Sequence, residues 1–238
     1  MRGTAMLAGR HMCRRVFMTT VYETIRVRNG RLPFIDRHIE RLRGGCAAVG
    51  MPPPKALGAR LDELGLGDRP DCALRVEWDG STLDISERPV PSTAPLALVT
   101  SSVPHPGYAV KTTARTAFEQ AQAEARQNGA DEGLLLTADG AVAEGTLFAI
   151  CWFEGAVLRV PSLDLGILPS IGRDRVIELA GQIGLDVEPG CFARELLEGR
   201  PAFITTSVRG VVGVAMLDGV RVPHDPRIKQ LRDAFWPS

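Results

Sequence analysis

The chain has 238 residues, 45% of them hydrophobic, which is enough for one large domain or two modest ones with their own cores. Its formal net charge is zero and only 5% of its residues are aromatic, so neither nonspecific attraction to nucleic acid nor base stacking is favoured. No apolar run approaches the roughly 20 residues that span a bilayer, and we expect a cytoplasmic protein without a membrane partner.

The N-terminal segment is unusual. Residues 1–16 are basic, contain no acidic residue and lack the apolar stretch of a signal peptide. They include the letters GRHM, which resemble a cloning scar. We predict that residues 1–16 are disordered or foreign to the native protein, with a transit peptide as the alternative.

The following segment predicts a hairpin and then a helix. Residues 21–35 are expected to form two strands around Asn29-Gly30, because both residues tolerate the positive φ of a tight turn. Apolar residues then recur at helical spacing over 36–50, with Asp36 as the expected N-cap. A short second helix follows it.

Three strand-like stretches with a turn at Asp79-Gly80 complete the first part of the chain. Proline- and glycine-rich sequence then predicts a boundary near residues 101–110. The fold class that we predict is α/β, of the α+β type, with two domains. The predicted parts are a small N-terminal α+β domain over 17–104, a linker over 105–110 and a larger C-terminal domain over 111–238.

The second part of the chain alternates helices and hairpins. A helix is predicted over 113–127, ended by Asn128-Gly129. The remaining predicted elements are hairpins over 133–145 and 146–162, helices over 172–185 and 193–199, a strand over 202–208, a hairpin over 211–223 and a helix over 225–236.

The five cysteines are scattered, odd in number and without a CxxC pair, which favours reduced thiols in a cytosolic protein. The four histidines have no metal-ligand spacing. We therefore predict no metal site.

Lys111 is one of only three lysines, since 25 of the 28 basic residues are arginine. Chemistry requires Lys when an amine must lose its proton and attack a carbonyl, which Arg does not do. The scarcity of Lys suggests a chemical role for Lys111, placed at the start of the 113–127 helix. A solvated surface Lys is the alternative.

Other candidates have weaker individual signals. Glu144 follows an alternating strand, where it is either a placed carboxylate or a residue at the rim of a hairpin. Residues 166–179 run from a Pro- and Gly-containing loop into a helix, whose free N–H groups favour an anion. The hydroxyls of residues 205–207 bind phosphate or cap a turn. Arg41 borders the apolar stripe of its helix and is placed to reach an anion.

Together and in this order, these features resemble the fold-type IV pyridoxal-phosphate enzymes, the group of branched-chain aminotransferase, D-amino acid aminotransferase and aminodeoxychorismate lyase. The resemblance covers about residues 20–220. It is carried by the stretches VYETIRVRNGRLPFIDRHIERL, KTTAR with NGADEGLLLTADGAVAEGT, LGILPSIGRDRVIELA and ITTSVRGVVGV.

The resemblance implies pyridoxal 5'-phosphate as the cofactor, held between the two domains. Lys111 would form a Schiff base with it and move protons, and Glu144 would keep the pyridine nitrogen protonated. The residues implied in phosphate binding are Arg41, Ile171, Gly172, Thr206 and Ser207. Tyr22 would line the substrate side, and Arg26, Arg115 and Arg209 are candidates for substrate carboxylates, each with a structural role as the alternative.

The resemblance also implies a homodimer and a small amine or amino-acid substrate. The chain departs from the family pattern in several places: it lacks the Asn expected between Thr146 and Leu147, and it has Gly172 where Thr is common, Ser170 for Gly, Gly213 for Pro and residues 18–20 for a Gly-Asp-Gly turn. These departures leave Lys111 and Glu144 intact but can weaken cofactor binding.

Three functions remain open. KTTAR and SVRGVV resemble the aminodeoxychorismate lyases most, and this reading is favoured. A transaminase of D-amino acids, branched-chain amino acids or amines would use the same Lys111 and Glu144. A degenerate homologue that binds the cofactor without turnover is the third alternative.

Overall fold

The structure is a computed structural model that describes residues 19–237, the side chain of Asp68 excepted. The segment 1–16, for which we predict disorder or foreign origin, lies outside the described residues. Within them, two β-sheets and five α-helices form a mixed α/β fold, as the sequence predicts.

The smaller sheet is antiparallel, in the order β1-β2-β3, with β1 at Val21–Val27, β2 at Cys72–Trp78 and β3 at Leu83–Arg88. Helices α1 (Ile35–Ala48) and α2 (Leu57–Asp62) contribute apolar side chains to the core of this sheet. Asp36 is not the N-cap as predicted but lies in the first turn of α1, because the helix begins at Ile35 and Phe34 is its N-cap.

The predicted hairpin after β1 forms only in part. Asn29 and Gly30 adopt the expected positive φ of 49° and 69°, and Arg28 pairs with Arg31. The second strand is absent because Pro33 has no N–H to donate and Phe34, with φ of 61°, turns the chain into α1. Strand β1 pairs instead with β2.

The larger sheet runs in the order β6-β5-β4-β11-β10-β7-β8-β9, and β12 pairs with β11. Its strands are β4 Leu96–Thr100, β5 Glu132–Leu136, β6 Val142–Gly145, β7 Ala149–Glu154, β8 Val157–Pro161, β9 Asp186–Gly190, β10 Ala202–Thr206, β11 Gly210–Leu217 and β12 Val220–Arg221. The remaining helices are α3 Thr116–Gln127, α4 Ile171–Gln182 and α5 Pro226–Ala234. The short helix predicted over 193–199 is a 3-10 turn at Arg194–Leu197.

Strand β4 was expected in the first part of the chain, but it pairs in parallel with β5 and β11 of the larger sheet. Leu96 and Leu98 are buried in the core of that sheet, which explains the pairing. The proline-containing segment 89–95 therefore connects the two sheets. The division into domains at 17–104, 105–110 and 111–238 stays a prediction.

Helix α3 begins at Thr116, three residues later than predicted, because the residues before it pair with β1. The Tyr22 N–H donates to Lys111 O at 3.0 Å, and the Thr113 N–H donates to Thr20 O at 2.9 Å. Lys111 thus lies in an extended piece of chain beside the smaller sheet and not at a helix start.

Candidate functional site

A cavity of about 280 Å³ contains most of the predicted site residues. Strand β1, helix α1, the extended segment before α3, strand β6 and the turn after β10 all contribute to its wall. The predicted residues that line it are Tyr22, Arg41, Lys111, Arg115, Glu144, Thr206, Ser207 and Arg209. Residues separated by up to 187 positions in the chain are therefore brought together.

Three predicted residues lie outside this cavity wall. Ile171 lines a neighbouring cleft, which also reaches Arg41 and Lys111. Gly172 lies behind the wall, against β10. Arg26 is directed elsewhere, since its Nη2 is 2.5 Å from Asp71 Oδ2 and its guanidinium lies 6.0 Å from the Trp236 ring.

The amine of Lys111 lies 4.7 Å from the centre of the Tyr22 ring. Burial lowers its pKa, and the positive charges of Arg41 and Arg115 lower it further, while Tyr22 and Glu23 oppose the shift. A lowered pKa increases the fraction of neutral amine, which is the form that attacks a carbonyl.

Glu144 is buried and held by two donors. Its Oε1 lies 2.8 Å from His105 Nε2 and accepts a hydrogen bond of 3.3 Å from the Leu168 N–H. His105 Nδ1 accepts from the Gly107 N–H at 3.2 Å, so the ring proton of a neutral His105 is on Nε2, facing the carboxylate. The Glu144 carboxylate is therefore oriented by hydrogen bonds from His105 and from the backbone.

His105 has no functional signal in its local sequence, where it lies in the predicted linker. It meets Glu144 only because β4 and β6 both flank β5. A buried histidine against a carboxylate 39 positions away becomes visible only in the fold.

Arg41 is fixed by a carboxylate that the sequence analysis missed. Its Nε and Nη2 donate to the two oxygens of Glu23 at 2.7 and 2.6 Å, and its Nη1 donates to Pro169 O at 3.0 Å. His38 Nδ1 lies 2.7 Å from Glu23 Oε2. The available signal was an acidic residue inside a buried strand, opposite a helix with His38 and Arg41 one turn apart.

The Glu23 carboxylate is strongly biased to its ionised form. Burial alone would raise its pKa, but the charge and hydrogen bonds of Arg41, helped by His38, lower the pKa to about 2. Burial lowers the pKa of His38. A neutral His38 donates from Nδ1 to the ionised Glu23, while His38 Nε2 is buried without a partner among the described residues.

The N-terminus of α4 packs closely against β10. A Cβ on Gly172 would lie 2.7 Å from Thr205 Oγ1 and 2.9 Å from Thr206 Cα, so a side chain does not fit there. The close packing therefore favours glycine at position 172 in this chain. Among the described residues, Thr205 Oγ1 is buried without a hydrogen-bond partner.

The turn after β10 uses one of its hydroxyls for its own structure. Thr206 Oγ1 accepts from the N–H groups of Val208 and Arg209 at 3.2 and 2.9 Å. These two bonds use both lone pairs of the oxygen, so the Thr206 hydroxyl proton remains to donate to a ligand in the cavity that Thr206 lines.

Arginine side chains from several elements also line the cavity. Arg75 lies 3.3 Å from the centre of the Tyr22 ring, and Arg88 from β3 also lines the cavity. Arg115 donates to Thr146 O and packs 4.5 Å from the Phe118 ring. Burial would raise the pKa of Tyr22, but the charges of Lys111, Arg115 and Arg75 lower it to about 8. The cavity is therefore suited to anionic ligands.

Residues 19–237 hold neither a metal-binding cluster nor a membrane-spanning helix. Within residues 19–237, no group of three His, Cys, Asp or Glu side chains is arranged to hold a metal ion. No helix in this range is long and apolar enough to cross a membrane.

Solved structures share this fold. The branched-chain amino acid aminotransferase of Escherichia coli superposes with a TM-score of 0.83 at 21% identity, over 91% of this chain and 84% of that one. The pyridoxal-phosphate form of the Thermobaculum terrenum enzyme gives 0.81 at 26% identity, over 91% and 83%. A structure provisionally described as 4-amino-4-deoxychorismate lyase gives 0.79 at 27% identity, over 99% and 96%.

Curated relatives match over shorter segments. The chain is 40% identical to the aminodeoxychorismate lyase of Bacillus subtilis over 90 residues, which are 37% of this chain and 31% of that one. It is 30% identical to the branched-chain-amino-acid aminotransferase of Salmonella typhimurium over 117 residues, or 48% and 38%. The chain thus matches about a third of the length of these curated relatives.

A family model described as amino-transferase class IV matches residues 20–217, which include all the residues that line the cavity and every strand except β12. Because this match extends over most of the chain, the protein belongs to the class IV aminotransferase family, a family of pyridoxal-phosphate-dependent enzymes.

Proposed function

We propose that this protein binds pyridoxal 5'-phosphate in the 280 Å³ cavity, covalently through Lys111. The observation that carries the proposal is the meeting of a lysine with a lowered pKa and a buried, donor-held Glu144 in one cavity. When bound, pyridoxal phosphate supplies an electron sink for the substrate's carbanion.

The donors around Arg41 fit the phosphate group. Three of the five guanidinium N–H groups bond Glu23 and Pro169. The other two, one on each terminal nitrogen, form an edge suited to two hydrogen bonds with an anion. The N–H groups of Ile171 and Gly172 begin α4, and the hydroxyls of Thr206 and Ser207 complete this set.

Glu144 fits the pyridine nitrogen. Both hydrogen bonds to its carboxylate within residues 19–237 are to Oε1, and Oε2 is the oxygen that we assign to the pyridinium N–H. His105 orients the Glu144 carboxylate toward the ring nitrogen, and a carboxylate facing that nitrogen favours its protonated form.

For the reaction, we propose the cleavage of 4-amino-4-deoxychorismate to 4-aminobenzoate and pyruvate. This substrate has two carboxylates and a ring amine, and the cavity wall includes four arginines besides Arg41: Arg75, Arg88, Arg115 and Arg209. Once the substrate amine has displaced it, the freed Lys111 Nζ would remove the ring proton, the enolpyruvyl C–O bond would break as the ring becomes aromatic, and the leaving group would gain a proton to give pyruvate. The identity to a lyase over 90 residues supports this choice.

A transaminase is the second candidate, because the fold superposes as closely on branched-chain aminotransferases. It would use Lys111 and Glu144 in the same roles but would need a second, keto-acid substrate. A homologue that binds the cofactor without turnover is the third.

The cofactor proposal is tested by spectroscopy. Purified protein mixed with pyridoxal phosphate is expected to gain a visible absorption band that survives gel filtration, and Lys111→Ala is expected to lose it. Lys229→Ala is the matched control, since Lys229 is exposed and pairs with Asp233 on α5. Wild-type protein that stays colourless would refute the assignment.

The reaction is tested by single-turnover measurements on the loaded enzyme. Release of 4-aminobenzoate from aminodeoxychorismate without a keto acid supports the lyase. Conversion of the cofactor to its amine form by D-alanine or L-leucine, with no 4-aminobenzoate released, supports the transaminase. Neither reaction in protein that retains the visible band supports the non-catalytic alternative.

We also propose a homodimer, as the resemblance implies. Leu147 lines the cavity and is 63% exposed, so a second subunit covering the cavity mouth would bury it. Light scattering during gel filtration tests the assembly, and a monomeric mass would contradict it.

A further inference from the structure

Glu132, at the start of β5, is a buried carboxyl group with no part in the chemistry above. It lines the cavity and is 8% exposed. Its Oε2 contacts Thr146 Oγ1 within hydrogen-bonding distance, and its Oε1 lies 3.8 Å from Arg209 Nη1. A distance of 3.8 Å is too long for a hydrogen bond, so Glu132 and Arg209 are only loosely paired.

The protonation of Glu132 follows from counting hydrogens along its contacts. The Gln122 amide has one end 2.8 Å from Asp131 O and the other 2.8 Å from Thr146 Oγ1. A backbone carbonyl only accepts, so the end facing Asp131 must be the NH₂ group, and the oxygen of Gln122 faces Thr146. Thr146 must therefore donate its single proton to Gln122.

With that proton used, Thr146 Oγ1 can only accept from Glu132. An ionised carboxylate has no proton to give, and two acceptors at this separation would repel each other. The contact is satisfied when Glu132 Oε2 bears a proton. Burial raises the pKa of Glu132, against the opposing effects of Thr146, Arg209 and Arg126, and Asp131 adds to the increase.

A neutral Glu132 changes what Arg209 can do. Arg209 Nε donates to Ser92 O at 2.9 Å, which fixes the guanidinium at the cavity wall. An ionised Glu132 would form an ion pair with Arg209 and compete with an anionic ligand. A protonated Glu132 leaves the positive charge of Arg209 available to that ligand.

We propose that Glu132 is a neutral carboxylic acid that acts as a positioning residue, leaving the Arg209 guanidinium without a competing counter-ion and available to bind a carboxylate of the substrate. The inference rests on the proposed use of the cavity for an anionic amino substrate. The consequence is a ligand preference: the site binds a ligand with a carboxylate more tightly than its neutral amide because Glu132 holds a proton.

The protonation is tested by infrared difference spectroscopy between wild-type protein and Glu132→Gln, near neutral pH and without added ligand. The expected difference is one carbonyl band of a protonated carboxyl group, present only in the wild type. Glu154→Gln is the matched control, because Glu154 pairs with Arg159 outside the cavity and its loss should remove only carboxylate bands. Loss of a carboxylate band in Glu132→Gln would overturn the proposal.

The consequence for binding is tested on the cofactor-loaded protein by calorimetry with 4-aminobenzoate and its neutral analogue 4-aminobenzamide. Arg209→Gln is expected to weaken 4-aminobenzoate about tenfold and to leave the amide unchanged. Glu132→Gln is expected to change neither affinity more than about twofold, since it replaces one neutral donor by another. If Glu132 were ionised, Glu132→Gln would strengthen 4-aminobenzoate binding, and that result would overturn the proposal.

A pH series adds an independent outcome. As alkaline pH removes the proton of Glu132, wild-type affinity for 4-aminobenzoate should fall relative to the amide, while Glu132→Gln stays constant. An equal fall in both proteins would assign the pH dependence to another group and contradict the proposal. The infrared result does not depend on cofactor or turnover, so failure of the lyase or cofactor assignment is recognised separately.

Discussion

At the residue scale, the lowered pKa of Lys111 has a kinetic consequence. Only the neutral amine attacks the cofactor aldehyde, and burial together with Arg41 and Arg115 lowers the pH at which it forms. We expect the rate of visible-band formation to rise with pH and to level off well below the ordinary lysine pKa of 10.5. Stopped-flow absorbance across pH checks this, with Nα-acetyl-lysine as reference. Matching pH profiles for protein and reference would contradict the shift.

His105 gives a second residue-scale prediction. Its proton on Nε2 stabilises the Glu144 anion, so His105→Ala should weaken pyridoxal-phosphate binding about tenfold, or ~1.4 kcal/mol. Equilibrium dialysis measures the affinity. His224→Ala is the control, because His224 lies outside the cavity lining. Equal affinities for wild type and His105→Ala would show that Glu144 does not need this donor.

Glu23 acts on stability. Glu23→Gln leaves Arg41 without its carboxylate in a buried network and should lower the free energy of unfolding by about 3 kcal/mol. The pKa of Glu23 is lowered to about 2 from 4.5, so its stabilising contribution is complete above the unfolded value and is lost as pH falls from there through about 2.

Urea unfolding at several pH values measures this contribution. The control is Glu63→Gln, whose exposed pair with Arg60 should contribute less than about 1 kcal/mol. A difference between wild type and Glu23→Gln that stays constant from neutral to strongly acid pH would contradict the lowered pKa.

At the element scale, helix α4 contains its own internal comparison. Gly172→Ala would place a Cβ 2.9 Å from the backbone of β10, so the helix start must shift, and we expect a loss of about 2 kcal/mol in stability with weaker phosphate binding. Gly181→Ala in the same helix has no atom within 4 Å of the added Cβ and should be neutral or stabilising by up to about 1 kcal/mol. Thermal unfolding and cofactor titration of both variants measure the effects. Equal behaviour of the two would refute the close packing.

The elements also show what the sequence could predict. Helices α1 and α4 follow from apolar spacing and α3 from its helix-favouring composition, and both signals need only neighbouring residues. The second strand predicted after Asn29-Gly30 is absent, although the turn itself was predicted correctly. Strand β1 pairs instead with β2, about 50 residues later in the chain. Strand β9 was not predicted, because its exposed residues lack alternation and its pairing with β8 is set by the fold.

At the scale of the whole molecule, the same division applies to the cavity. Lys111 and Arg41 could be proposed from their own surroundings, since scarcity and a helix edge are local properties. Glu23, His105 and Arg75 could not be assigned roles, because each role depends on a partner from another element. From the sequence, Gly172 is a departure that removes the hydroxyl of the Thr common at this position. The contact with β10 makes glycine a steric requirement there.

The backbone pairing of Lys111 with Tyr22 has a consequence for the order of folding. These residues are 89 positions apart, and the Tyr22 N–H donates to Lys111 O, which joins β1 to the segment before α3. Contacts at such long sequence separation form late, since loop closure must precede them. During refolding in the presence of pyridoxal phosphate, the visible band should therefore recover with the slowest major phase, after the far-ultraviolet circular dichroism of the helices. Recovery of the visible band would then report that the two sheets have packed together.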